Sequence, residues 1–297
     1  MAESVQHYDV ISMGRIGVDL YPPRTGTPSA QAAGLGGSAA NVAVAAARLG
    51  RSTAVITRTG ADPFGSHLHQ TLTESGVDSR WVTPSESDTS ESDTDALDFF
   101  ALRAARILWI TGTGLSGEPT RSTTLAALKA RGRTGTTVLD LHWRPACWSD
   151  PEEAPPYYAE AVRHATVAMG DLDACEIATG VREPRACAEA LLAAGVELAV
   201  VKRPGGVLAV HRDGTAAEIP PVAAAGADAP DAEDAFGGAL CHGLLSGWEV
   251  ERLVRYAHAA GALVASRPTE SPAMPTATEI EDLLARTPQP SPTGTTA

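Results

Sequence analysis

Short apolar runs alternate along this chain with longer amphipathic stretches. Tyr8 to Gly14 (YDVISMG) predicts a short strand ending in a glycine turn, and the Ala-rich Asn41 to Leu49 (NVAVAAARL), closed by Gly50, predicts a helix with a glycine cap. A strand over Ser52 to Thr57 and a helix over Pro63 to Gly76, carried by His67, Leu68 and Leu72, follow. Ala105 to Thr111 (ARILWIT) and Thr137 to Leu141 (TVLDL) read as strands on either side of a helical Arg121 to Arg131. Further strands are expected at Ala165 to Met169, Leu198 to Lys202 and Val207 to Val210, with a helix over Arg185 to Ala194. Two longer helices, Ala235 to Ser246 and Val250 to Ala265, close the pattern. Such alternation predicts a mostly parallel sheet covered by helices on both faces, with any ligand outside the carboxyl ends of the strands.

One segment departs from this rhythm. Residues 85–94 are SESDT written twice, inside a stretch from Pro84 to Asp98 with six acids and no Lys or Arg. Self-repulsion and low apolar content predict a solvated loop there rather than a metal site. The Pro-rich residues 287–297 have nothing to bury and read as a disordered tail, leaving residues 1–286 as one α/β domain.

Composition narrows the function classes. With 297 residues, 43% hydrophobic and 20% charged, the chain can bury a large core, so disorder of its bulk is excluded. The net charge is −13 and no basic cluster stands out, so nucleic acid and anionic membrane are poor partners. No leader is expected, no apolar run approaches the ~18 residues of a membrane span, and a cytoplasmic location is expected. Cys147, Cys175, Cys187 and Cys241 form no CxxC pair and are expected to be buried free thiols.

Two glycine-rich places open helices: Gly34-Leu-Gly36-Gly37-Ser-Ala-Ala-Asn41 and Asp234-Ala-Phe-Gly237-Gly238. Either could admit a ligand to free backbone N–H groups, or could serve close helix packing or a tight turn. Together with Asp19 after the first strand, and with DVISMGRIGVDLYP (9–22), GGSAANVAVAAARLG (36–50), ITRTGADPFG (56–65), ILWITGTGLSGEPTRS (107–122), LDLHWRP (139–145) and DAFGGALCHGLLSGW (234–248), they resemble the PfkB, or ribokinase-like, carbohydrate kinases. Within that family the resemblance is to the 5-dehydro-2-deoxygluconokinases of inositol catabolism, and it runs from about residue 8 to 284.

The resemblance implies a three-layer α/β/α fold with a mostly parallel central sheet, and a reduced or absent β lid because the segment after Val82 is the acidic repeat. It implies transfer of the γ-phosphoryl group of ATP, with Mg2+, to a sugar hydroxyl that an aspartate deprotonates beside an anion hole of backbone N–H groups. Position by position, Asp19, Gly36, Gly37 and Asn41 match the sugar-binding motifs, Arg144 an arginine suited to a sugar acid's carboxylate, and Asp234 the base. For Asp234 the bland alternative is a helix cap. A homodimer is open.

Against the family's Asp-Thr-x-Gly-Ala-Gly-Asp-x-Phe, this chain reads Asp228-Ala-Pro-Asp231-Ala232-Glu233-Asp234-Ala-Phe236, so the anion-hole glycines have become Asp231 and Glu233 around Ala232. Two like charges 4 Å apart cost about 4 kcal/mol even at an effective dielectric near 20, and Pro230 removes a further N–H, so weak or absent ATP binding is expected. The family's Asn-x-x-Glu motif on the magnesium and phosphate side falls on Asp171-Leu-Asp-Ala174, and its Lys-x-Gly-x-x-Gly turn on Lys202-Arg-Pro-Gly205-Gly206, one residue short. Three functions stay open: an ATP-dependent sugar-acid kinase; a pseudokinase that binds sugar or acts as a scaffold and needs no cofactor; and a recruited enzyme using the carboxylates of Asp228, Asp231, Glu233 and Asp234.

Overall fold

A computed structural model of the chain describes residues 8–21, 32–85, 97–221, 230–267 and 274–287. Strand β1 (Val10–Met13) leads into an antiparallel pair, β2 (Gly17–Tyr21) and β3 (Ala32–Gly36), which forms a separate small sheet. Helix α1 (Ser38–Arg48), β4 (Thr53–Gly60), α2 (Pro63–Glu74), β5 (Val77–Ser85), α3 (Phe99–Ala104), β6 (Ile107–Thr111), α4 (Thr120–Arg131) and β7 (Thr136–Asp140) follow. Then come α5 (Ala154–Val162), β8 (Val167–Asp171), α6 (Leu172–Thr179), α7 (Pro184–Ala193), β9 (Leu198–Arg203), β10 (Gly206–His211), β11 (Ala216–Ile219), α8 (Pro230–Leu245), α9 (Val250–Ala265) and α10 (Ala277–Arg286).

The main sheet has nine strands in the order β11-β10-β9-β8-β7-β6-β1-β4-β5. From β9 to β5 every pairing is parallel; β10 and β11 add antiparallel at one edge. The inner strands read as unbroken apolar runs because both faces are covered. In β6, Ile107 and Trp109 face α1, α8, α9 and α10, while Leu108 and Ile110 face the layer of α3 to α7. This is the expected three-layer arrangement.

Local chemistry sets the ends of these elements. Asp62 caps α2 by accepting from the Gly65 N–H at 2.7 Å, with Pro63 at the first helical position. Helices α4 and α6 stop at Gly132 and Gly180, both left-handed with φ of 57° and 77°. The fully buried Arg131 closes the base of the layer, donating to the carbonyls of Leu102, Arg103, Arg106 and Thr136 at 2.7 to 3.3 Å.

Gly237 and Gly238 have the packing role. A Cβ on Gly238 would lie 2.4 Å from the Ala45 Cβ and 2.8 Å from the Ala46 nitrogen, and one on Gly237 would lie 2.6 Å from the Trp109 ring. Their absence lets α8 lie directly against α1 and the sheet.

Several elements differ from expectation. Helix α8 begins at Pro230, five residues before the predicted start, so Asp231, Glu233 and Asp234 belong to the helix itself. Pro230 is its first residue, where a missing N–H breaks no helical hydrogen bond. Pro84 and Ser85, placed in the acidic loop from sequence, extend β5 instead, and Asp98 caps α3 through the Phe100 and Ala101 N–H groups. Residues 86–96 and 288–297, on which the loop and tail expectations fall, lie outside the described residues. Cys175, Cys187 and Cys241 are buried as expected, but Cys147 is exposed.

Candidate active site

The sequence-predicted residues gather at the carboxyl end of the sheet, where the first turns of α1 and α8 meet. Asn41, in the first turn of α1, is buried and its amide donates to Asp231 Oδ1 at 3.1 Å and to Asp234 Oδ2 at 3.0 Å. Asp234 is the fifth residue of α8, so it is no helix cap. It is 4% exposed, and its Oδ1 is buried without a partner. Burial pushes this carboxyl up to about 7, against the pull of Asn41 and Ser38, with the Asp140 charge adding to the rise. Burial also raises Asp231, helped by the charge of Asp19.

Asp19 stands on β2 opposite Gly34 of β3. A Cβ on Gly36 would come 2.5 Å from its carboxylate, so the glycine makes the room that the acid fills. Gly37 precedes α1 with φ of 94°, and a Cβ there would meet the Arg15 carbonyl at 2.5 Å. Both glycines are thus required by close approach. Asp19 and Gly36 are thus carried by the small β2–β3 sheet, apart from the main sheet.

Of the LDLHWRP block, two polar residues besides the expected Arg144 belong to the site. Asp140 ends β7, buried, and His142 follows in the left-handed region at φ 38°. The His142 Nδ1 lies 3.4 Å from Asp140 Oδ2 and 3.3 Å from the Ser38 hydroxyl, while its Nε2 accepts from Arg144 Nε at 3.0 Å. Burial lowers the His142 pKa, but contact with Asp140 and the charge of Glu233 outweigh it and the net direction is up. Arg144 is exposed and joins the cluster through His142. The signal available in the sequence was a run of polar residues at the exit of a buried strand.

Lys202, expected from sequence only as the start of the shortened glycine turn, also reaches the site. It pairs with Asp171 of β8 in the sheet register, and its Nζ lies 2.6 Å from Glu233 Oε1. Burial works against the ammonium, but Glu233, Asp140 and Asp171 together hold its pKa above the ordinary lysine value. The expected repulsion from two open charges at the head of α8 is therefore corrected: Glu233 is neutralised by Lys202, and Asp231 is hydrogen-bonded to Asn41. Of the four proposed acids, Asp228 lies outside the described residues, and Ala232 is half-buried between the other three.

The magnesium-side motif is spent on structure. Asp171 caps α6 by accepting from the Ala174 N–H at 2.8 Å, and Ala174 is fully buried. Among the described residues no group of three His, Cys, Asp or Glu could hold a metal ion, so these side chains do not fit a protein-held Mg2+. A cleft of about 280 Å³ opens at the ends of β1 and β6, lined by Gly14, Arg15, Thr113, Gly114, Ser116 and Cys147 among others.

Comparison with known proteins places this geometry. The family profile described as pfkB family carbohydrate kinase matches residues 8–94 and 84–277. The chain belongs to this family. Curated relatives in the pfkB family include 5-dehydro-2-deoxygluconokinase of Shouchella clausii, 28% identical over 94% of this chain and 96% of that protein. The protein of the same name from Photobacterium profundum is 29% identical over 93% and 94%. Among solved pfkB-like structures, fructokinase with bound ATP from Xylella fastidiosa has a TM-score of 0.81 at 20% identity, covering 94% of this chain and 99% of that one. Aminoimidazole riboside kinase from Salmonella enterica, complexed with aminoimidazole riboside and an ATP analog, has a TM-score of 0.78 at 22% identity, covering 93% and 99%. These likenesses bear out the ribokinase-like fold. Among the described residues no helix is long and apolar enough to cross a membrane.

Proposed function

We propose that this chain is an ATP-dependent kinase of a sugar acid resembling 5-dehydro-2-deoxygluconate, with Asp234 as the base. The observation that carries the reading is the unpartnered, buried Oδ1 of Asp234 at the head of α8, on a carboxyl raised to about 7. A lone pair with no protein donor, inside a site fixed by Asn41, suits it to accept a proton from a substrate hydroxyl near neutral pH. The Asn41–Asp234 hydrogen bond and the close approach of Gly36 to Asp19 support a sugar site here, and Arg144, tethered by His142, would supply a guanidinium for a carboxylate. First-turn N–H groups of α8, unused by the helix, are available to an oxyanion. The relatives named 5-dehydro-2-deoxygluconokinase support the choice of substrate class.

A second reading, binding of the sugar acid without transfer, is favoured by the donor side: Glu233 and Lys202 fill the head of α8, and Ala174 replaces a carboxylate. Coupled measurement of ADP release with 5-dehydro-2-deoxygluconate separates the two. Turnover in wild type that Asp234→Asn abolishes supports the kinase. Calorimetric binding of the sugar acid with no ADP release refutes it in favour of the second reading.

A further inference from the structure

The cleft at the ends of β1 and β6 is explained neither by the base and its Asn41 contact nor by the Lys202–Glu233 pair. Its volume, about 280 Å³, is at the small end of small-molecule sites. It borders the Asp234 site through bare backbone. A Cβ on Gly14 would meet the Ala39 Cβ of α1 at 3.2 Å, and one on Gly37 would meet the Arg15 carbonyl at 2.5 Å. Gly14 and Arg15 line the cleft where β1 ends, and the exposed Cys147 lines it from the loop after β7.

Two properties of the lining set the chemistry of a ligand. The first is charge. Arg15 is the one charged side chain on the wall among the described residues, and no described acid lines the cleft. It is exposed, and among the described residues its guanidinium makes no hydrogen bond or ion pair. Arg144, by contrast, has already given its Nε to His142 and is not on the wall. On a chain of net charge −13, an anion needs such a local counter-charge. The second property is the direction of the hydroxyls. Ser116 donates to the Thr113 carbonyl and Thr120 to the Gly117 carbonyl, each at 2.9 Å, so both oxygens are left to accept. Acceptors suit the hydroxyls of a ligand, and a guanidinium suits its carboxylate. A sugar acid carries both groups.

We propose that Arg15 is a specificity-determining residue: it receives the carboxylate of a polyhydroxy acid in this cleft, adding a second guanidinium to the one offered by Arg144, and so selects the acid over the neutral sugar. The assignment rests on the sugar-acid part of the proposed function and not on phosphoryl transfer.

Cys147 supplies the readout. The other three cysteines are buried, so iodoacetamide should label Cys147 first. Its labelling in the full chain is followed by peptide mass spectrometry against 5-dehydro-2-deoxygluconate, and against the neutral compound with a hydroxymethyl group in place of the carboxylate. In wild type the acid should protect Cys147, with half-protection at a concentration at least about tenfold lower than the neutral compound needs. Arg15→Met should weaken the acid at least about tenfold and the neutral compound no more than about twofold, and Arg15→Lys should recover part of the loss. Cys147 left unprotected by the acid, or wild type protected equally by both compounds, overturns the proposal without recourse to any variant. Acid protection that survives Arg15→Met, or a loss shared equally by the two compounds, overturns it as well. ADP release, followed separately, tells the two failures apart. Protection by the acid without ADP release refutes transfer and leaves the role of Arg15 standing; release that Arg15→Met leaves unchanged at limiting acid does the reverse.

Discussion

Replacing Asp234 by asparagine should stabilise the ligand-free protein while removing the proposed base, and the size of the effect follows from the buried carboxyl. Its pKa is raised from 3.8 to about 7, chiefly by burial. A carboxyl raised in the folded state is protonated in both states at low pH and costs nothing there. As pH climbs from about 4 towards 7 the unfolded chain ionises while the folded one resists, and stability is lost progressively. Above about 7 the loss is complete, and at about 1.4 kcal/mol per pH unit it amounts to roughly 4 kcal/mol. Asparagine retains an oxygen to accept from the Asn41 amide and carries no charge to desolvate. Urea unfolding should therefore find Asp234→Asn ahead of wild type by only about 1.5 kcal/mol at pH 5 and by about 4 kcal/mol at pH 8. Titrating groups that do not interact with Asp234 cancel in the difference. An equal difference at the two pH values would refute the burial argument, and with it the account of why this carboxyl can act as a base near neutrality.

If Asp234 is the base, ADP release coupled to the sugar acid should rise with pH through about 7 and level off above it, since only the ionised form accepts a proton; a flat profile from pH 5 to 9 would count against that role. Gly36→Ala should leave the fold intact but weaken sugar-acid binding about tenfold or more in calorimetry, because its methyl would occupy the space of the Asp19 carboxylate. Arg131→Leu should lower stability by about 2–4 kcal/mol in urea melts, since it strips donors from the four carbonyls that Arg131 serves. Gly238→Val should cost at least about 2 kcal/mol, because Ala45 and the backbone of α1 leave no room for a side chain.

The parallel sheet was readable because its strands carry their own signal. ILWIT and LAVV are apolar runs bounded by polar residues, and the helices between them keep a buried stripe. What escaped lacks that contrast. The strands β2 and β3 are built from GVDLY and AAGLG, which mix glycine and an acid into the apolar run, and are held by pairing with each other. Helix α5 begins Ala-Pro-Pro, a sequence that punctuates a chain everywhere except at a helix start. In the site, Asp234 and Asn41 were found by motif, yet nothing local in the sequence says that Lys202 reaches Glu233 across 31 residues. Charges were counted correctly from sequence and their neutralisation was not, because pairing depends on which strand ends face which helix.

The contact between α1 and α8 has an evolutionary consequence. Asn41 and Ala45 are one turn apart on α1, as Asp234 and Gly238 are on α8, so the Asn41–Asp234 hydrogen bond sits one turn from the Ala45–Gly238 contact. Further along, Arg51 ties the end of the same pair together through the His242 carbonyl at 3.0 Å. The spacing between the Asn41 amide and the Asp234 carboxyl is therefore set by the core, not by the residues at the helix head. Positions 231 and 233 could therefore vary without moving Asp234, and under the proposed kinase reading a lineage could remodel its phosphoryl-donor side while the acceptor side stayed in register.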